Sequence, residues 1–217
     1  MNVNDDALRA RWQVLWAALA MAAPAGLLER LMGAWRESQR HYHTLQHLTE
    51  CLALFDELRD QAQRPAEIEL ALWFHDAVYD VRAHDNEARS ARWADQALCG
   101  AGLGLDSVQR IHDLIMATCH GAAPASTNPD AALLTDIDLA ILGAPEPRFA
   151  EYERQIRAEY AWVAPEIYAV KRRAVLRGFL ERDAIYATPV LHHRLERQAR
   201  HNLARATGNA TSMSPRH

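Results

Sequence analysis

Lysine is almost missing from this chain. Of the 24 basic residues only Lys171 is a lysine and the other 23 are arginines, which sets lysine nucleophiles and Schiff bases aside. No glycine-rich stretch ends in Lys-Ser or Lys-Thr, so a P-loop is excluded. Cysteine is scarce as well. Cys51, Cys99 and Cys119 are odd in number and lack metal-site spacing, and they read as reduced core thiols of a cytosolic protein. No apolar run approaches the roughly 20 residues that a membrane span needs. Asn2, Asn4, Asp5 and Asp6 do not fit a secretory signal. Positive charge is also lacking, since the net charge is −4 and the pI is near 6.2. Duplex nucleic acid and anionic membranes are therefore poor partners. A substrate with a few phosphates stays compatible, because a bound cation can supply the missing charge. These absences predict a soluble, cytoplasmic protein.

What is present is the balance of a globular chain, with 49% hydrophobic and 24% charged residues in 217. That length predicts one domain over 1–206 and a mobile tail over 207–217. No segment alternates apolar and polar residues long enough for a strand, so the fold class is all-α. Helical periodicity predicts helices at 6–22, 24–38, 43–62, 65–80, 86–100, 106–120, 130–142, 146–162, 165–183 and 189–206. Pro24, Pro65, Pro145, Pro147 and Pro165 suit helix starts, and Gly121 and Gly143 follow helix ends. Asp85 or Asn86 suits the cap before Glu87. Loops fall at 80–86 and 121–130. The six tryptophans, Trp73 and Trp162 among them, read as core residues.

Helical faces then sort the polar residues. In 65–80, Leu72, His75, Asp76 and Tyr79 fall at i, i+3, i+4 and i+7, with Ile68 one turn earlier. His75 and Asp76 thus share the core-facing side, about 100° apart around the helix. A carboxylate buried there without a partner costs several kcal/mol, so a metal, an arginine or a hydrogen-bond network must answer it. In 130–142 the stripe is Leu134, Ile137, Asp138 and Ile141. Asp138 is directed inward, and Asp136 toward solvent or a neighbouring polar group. His47 flanks the Leu48, Cys51, Leu52, Phe55 and Leu58 stripe of 43–62. Two imidazoles and two carboxylates from three helices suit a divalent transition metal with positions left for water or substrate.

The segments HYHTLQHL around His47, ALWFHDAVYD around His75-Asp76 and LLTDIDLAILG around Asp138 follow one another in that order. They resemble the HD-domain superfamily of metal-dependent phosphohydrolases. More narrowly, the run at 40–43, NEARSA at 86–91 and IRAEYAWV at 156–163 are similar to a group of small bacterial HD phosphohydrolases. The resemblance covers roughly residues 8–206. It implies a compact multi-helix bundle with His47, His75, Asp76 and Asp138 as metal ligands. It also implies hydrolysis of a small phosphorylated substrate, a nucleotide or other phosphomonoester.

Within that reading one divalent ion is expected: manganese, cobalt, nickel, iron or zinc. Asp76 is the ligand expected to hold the attacking water, and Glu87 the leading acid or base. Arg40, His120 and Arg157 are candidate substrate-binding residues. Asp80, His43 and His84 stand behind them. Two alternatives remain open, a di-iron HD-type oxygenase and a metal-stabilised sensing or interaction module without turnover. A homo-oligomer also stays open.

Overall fold

Eight consecutive residues, Glu67 to Phe74, are buried in the helix Pro65–Phe74 of the computed structural model. A helix buried on every side belongs at the centre of a core rather than on its surface. Here it is α4, and helices touch it from all around. In chain order the described residues, 5–119 and 128–208, form α1 (Asp5–Ala18), α2 (Leu27–Ala34), α3 (Leu45–Leu58), α4, α5 (Asn86–Gly100) and α6 (Leu105–Ala117). There follow α7 (Pro129–Asp138), α8 (Glu146–Glu159), α9 (Pro165–Leu180) and α10 (Pro189–Ala206). No strand occurs among the described residues, and the fold is all-α.

The chain divides into two compact units, Met1–Asp138 and Leu139–His217. In the first unit α4 packs against α1, α3, α5, α6 and α7. Its two buried glutamates are answered from outside the helix. Glu69 accepts from Arg11 Nε at 2.7 Å and from Arg59, and Glu67 accepts from Arg110 at 2.8 and 2.6 Å. Trp12 stands edge-on to both Trp16 and Trp73, with centroids 5.7 and 5.1 Å apart. In the second unit a short 3-10 turn, Leu139–Gly143, lies against α10. A side chain at Gly143 would meet Leu195 Cβ at 2.7 Å, so this close approach requires glycine.

Several expectations are corrected. Helix 65–80 ends at Phe74, and 130–142 yields to a 3-10 turn after Asp138. Helix 6–22 stops at Ala18, and Pro24 lies before α2 rather than in its first turn. Asp136 is buried, which leaves a neighbouring polar group and not solvent of its two expected surroundings, because α7 packs against α3, α4 and α6. Cys51 alone of the three free cysteines is buried; Cys99 and Cys119 are exposed near the ends of α5 and α6. Trp162 is 52% exposed, since it follows the end of α8 rather than lying on a packed face. Thr207, the expected start of the tail, is buried and hydrogen-bonded to Leu203 O; residues 209–217 lie outside the described residues.

Candidate metal centre

Four side chains from three segments meet beside the end of α4. His47 is carried by α3, whose N-terminus is capped by Thr44 accepting from the Gln46 N–H. Its buried stripe runs Leu45, Leu48, Cys51, Leu52, Phe55 and Leu58, and His47 lies among these residues. Asp138 is the last residue of α7. The start of α7 is tied to the start of α4, because the buried Asp130 carboxylate accepts the Gln63 and Arg64 N–H groups at 2.7 and 2.9 Å. That tie sets the position of one ligand-bearing segment against the other.

His75 and Asp76 sit just beyond α4 and not within it. His75 keeps helical backbone angles as the C-cap, while Asp76 begins the turn that leads out. Carbonyls at a helix end have no partner inside the helix. Here Leu72 O lies 2.9 Å from His75 Nδ1, and Trp73 O accepts from Trp35 Nε1 at 3.1 Å. Asp76 O and Ala77 O accept from Arg40 at 2.6 and 3.1 Å. Ser90 of α5 then takes the Val78 N–H at 3.0 Å. These side-chain partners replace the helical bonds that would have carried the helix on to residue 80.

The resulting donor atoms lie within 4.8 Å of one another. His47 Nε2 is 3.3 Å from His75 Nε2, 3.1 Å from Asp138 Oδ1 and 3.8 Å from Asp76 Oδ2. His75 Nε2 is 3.2 Å from Asp76 Oδ2 and 3.5 Å from Asp138 Oδ1. Two donors each about 2.1 Å from one shared ion stand about 3.0 Å apart at a right angle and about 3.4 Å apart at the tetrahedral angle. Four of the five distances lie near that range, and the cluster could hold a metal ion.

The donor chemistry fits too. His75 Nδ1 is paired with a carbonyl, which puts a proton there and leaves Nε2 as the atom that faces the carboxylates. His47 Nδ1 instead meets the Cys51 thiol at 3.6 Å. Burial, with the Asp138 and Asp76 charges, pushes that thiol well above its ordinary pKa, so it stays neutral. Burial alone would lower the pKa of His75, yet the Asp76 and Asp138 carboxylates raise it well above its ordinary value. Asp76 is held low in turn: burial opposes this, and His75 and His43 outweigh it. The His75 shift records the two carboxylates beside it, and the Asp76 shift records the histidines.

The histidine side chains are 3% and 1% exposed, while Asp138 and Asp76 are 11% and 16% exposed. The open side of the cluster is its carboxylate side.

Of the other expected residues, none that is described belongs to the ligand group. Arg40 is buried with its donors on Glu37, His43 O, Asp76 O and Ala77 O. Arg157 likewise donates to Tyr160 O and Val163 O, and its guanidinium lies over the Tyr168 ring in the second unit. Glu87 is half-buried in the first turn of α5. Asp80 is exposed and accepts from the Arg82 N–H; Asn86 closes the 80–86 loop on the Asp80 backbone instead of capping α5. His84 is exposed, and His120 lies outside the described residues.

His43, ranked low from sequence, stacks on Tyr79 with centroids 4.0 Å apart and acts electrostatically on Asp76. Trp35, Cys51 and Ser90 were not singled out for the site. Only Cys51, one turn after His47, carried a sequence signal that could have found it.

No protein-family model, curated protein or solved structure matches this chain.

Proposed function

We propose that this protein is a metal-dependent phosphohydrolase acting on a small phosphomonoester, a nucleotide among the candidates. One observation carries the reading: His47, His75, Asp76 and Asp138 converge with metal-like spacings, and two of the four, the carboxylates, are partly open to solvent. Structural metal sites are normally closed by their protein ligands, whereas hydrolytic sites keep a side open. The order of the HD-like segments in the sequence supports the same class of chemistry.

His47, His75, Asp76 and Asp138 would hold one divalent ion, and two imidazoles favour manganese, cobalt, nickel, iron or zinc over magnesium. Such an ion supplies positive charge for phosphoryl oxygens and makes a nearby water more acidic. The chain's own residues do the rest. The buried histidines form the floor and exclude water from beneath the cluster. Asp76 and Asp138 line the open side, where a carboxylate oxygen can accept a proton from the attacking water. Glu87, in the half-buried first turn of α5, is the candidate donor to the leaving oxygen. The reading places the enzyme in the cytoplasm, in keeping with three free cysteines.

The test is release of inorganic phosphate from a panel of nucleoside monophosphates and p-nitrophenyl phosphate. It is run before chelation, after chelation, and after return of Mn²⁺, Co²⁺ or Ni²⁺. Turnover that is lost on chelation and restored by metal supports the proposal. A metal-loaded protein that releases no phosphate from any of these esters contradicts it.

A further inference from the structure

We infer that Arg40 is the positioning residue of the metal centre: it fixes Asp76 through the backbone, and the affinity of the centre for a divalent ion depends on it. The inference rests on the cluster binding a metal and not on what the metal does.

Arg40 stands in the segment between α2 and α3, with its side chain 0% exposed. Its guanidinium is flanked by Trp35, 5.7 Å to the ring centroid, and by Tyr79, at 5.5 Å. Nε is held by Glu37 at 3.0 Å. Nη1 donates to Asp76 O at 2.6 Å and to His43 O at 3.3 Å, and Nη2 donates to Ala77 O at 3.1 Å. Two successive carbonyls of the departing chain are thus taken by the two arms of one planar fork. An ammonium group cannot reproduce that arrangement, because its donors radiate from a single point.

The consequence falls on Asp76. Its carboxylate must stand 3.2 Å from His75 Nε2. Yet its backbone has already left the helix that orients His75. The N–H side of the peptide after Asp76 keeps one bond to the end of α4, Ala77 N–H to Phe74 O at 2.9 Å, while its carbonyl is held by Arg40. The same guanidinium holds His43 O, so it also ties the stretch that leads into the His47 helix to the Asp76 turn. A buried charge with every arm spent on backbone and on Glu37 is built to hold a loop. Outer-sphere partners of this kind typically carry a factor of 10–100 in metal affinity.

The experiment is Co²⁺ titration of the chelated full-length protein, followed by visible absorption, in the wild type, Arg40→Gln, Arg40→Lys and Arg157→Gln. Arg157 also holds two backbone carbonyls, those of Tyr160 and Val163, and both lie far along the chain from the ligand residues, so its variant registers the loss of such a clamp at another point of the chain. The Arg40→Gln protein is expected to keep its helical circular dichroism and to lose at least about tenfold in Co²⁺ affinity, with an altered Co²⁺ spectrum. Arg157→Gln is expected to bind like the wild type. Millimolar guanidinium ion should partly restore binding to Arg40→Gln.

Should Arg40→Gln fail to fold, Arg40→Lys carries the same readout, because it keeps the charge and most of the volume but not the fork. A folded Arg40 variant with wild-type Co²⁺ affinity and spectrum overturns the inference. A wild-type protein that takes up no Co²⁺ overturns the metal reading and the inference with it.

Discussion

The Nε2 atoms of His47 and His75 face each other at 3.3 Å, with both rings buried and two carboxylates beside them. Two ring nitrogens cannot share that space as bare lone pairs; a proton or a cation must lie between them and the acids. In the metal-free protein the proton resides on His75, whose pKa lies well above 6.5 because the Asp76 and Asp138 charges outweigh its burial.

A pH dependence follows from that proton. Because the folded pKa of His75 is raised, its stabilisation of the metal-free protein is complete below the unfolded value near 6.5 and is lost as pH rises through the folded value. Asp76 is depressed below 3.8, so its contribution is present above that value and is lost in acid. Thermal melts of the chelated protein should therefore show Tm falling as pH rises through and above neutrality. Metal binding expels the proton, so Co²⁺ affinity should rise over the same interval. His75→Ala should flatten the slope of Tm. A wild-type Tm independent of pH in that range would contradict the assignment.

The tie between α7 and α4 is open to a stability test. Asp130→Ala leaves the Gln63 and Arg64 N–H groups without their carboxylate. The expected cost is about 0.5–2 kcal/mol, the range for losing a helix cap. Urea melts of the metal-free protein measure it. A midpoint and slope equal to wild type would show that the tie contributes nothing.

Glu87 separates chemistry from helix start. Glu87→Gln keeps size and most helix preference while removing the charge. The variant should fold, bind metal normally and lose at least about a hundredfold in kcat on an ester that the wild type hydrolyses. A kcat within a few-fold of wild type returns Glu87 to the role of a first-turn acid facing the helix dipole.

Much of the cluster was legible in the sequence because helical spacing reports which residues share a side. His47 and Asp138 were found in that way, and their helices carry them where the spacing implies. His75 and Asp76 were found by the same spacing, but their helix ends one residue before them. Their register survives because His75 keeps helical angles at the cap. The helix stops where side chains from distant segments take the carbonyls, Trp35 that of Trp73 and Arg40 those of Asp76 and Ala77 just beyond, and no local pattern records that. Asp136 marks the opposite limit. Facial reasoning separated it from Asp138 but left solvent and a neighbouring polar group both open for it, and α7, packed against three helices, buries it. Arg40 and Arg157 read as phosphate clamps because an arginine's sequence does not reveal whether its fork meets a ligand or a backbone.

The most direct test is the metal content of purified protein by elemental analysis, after chelation and reloading with Mn²⁺, Co²⁺, Ni²⁺, Fe²⁺ or Zn²⁺ in turn. Wild type, Asp138→Ala and Asp136→Ala are compared. With His47, His75, Asp76 and Asp138 as the ligands, the wild type should hold about one ion per chain and Asp138→Ala almost none. Asp136→Ala should keep its ion despite a lower Tm, because its buried carboxylate lies outside the ligand group. Equal metal loss in both variants, or a wild type that retains no ion at all, would contradict the metal centre.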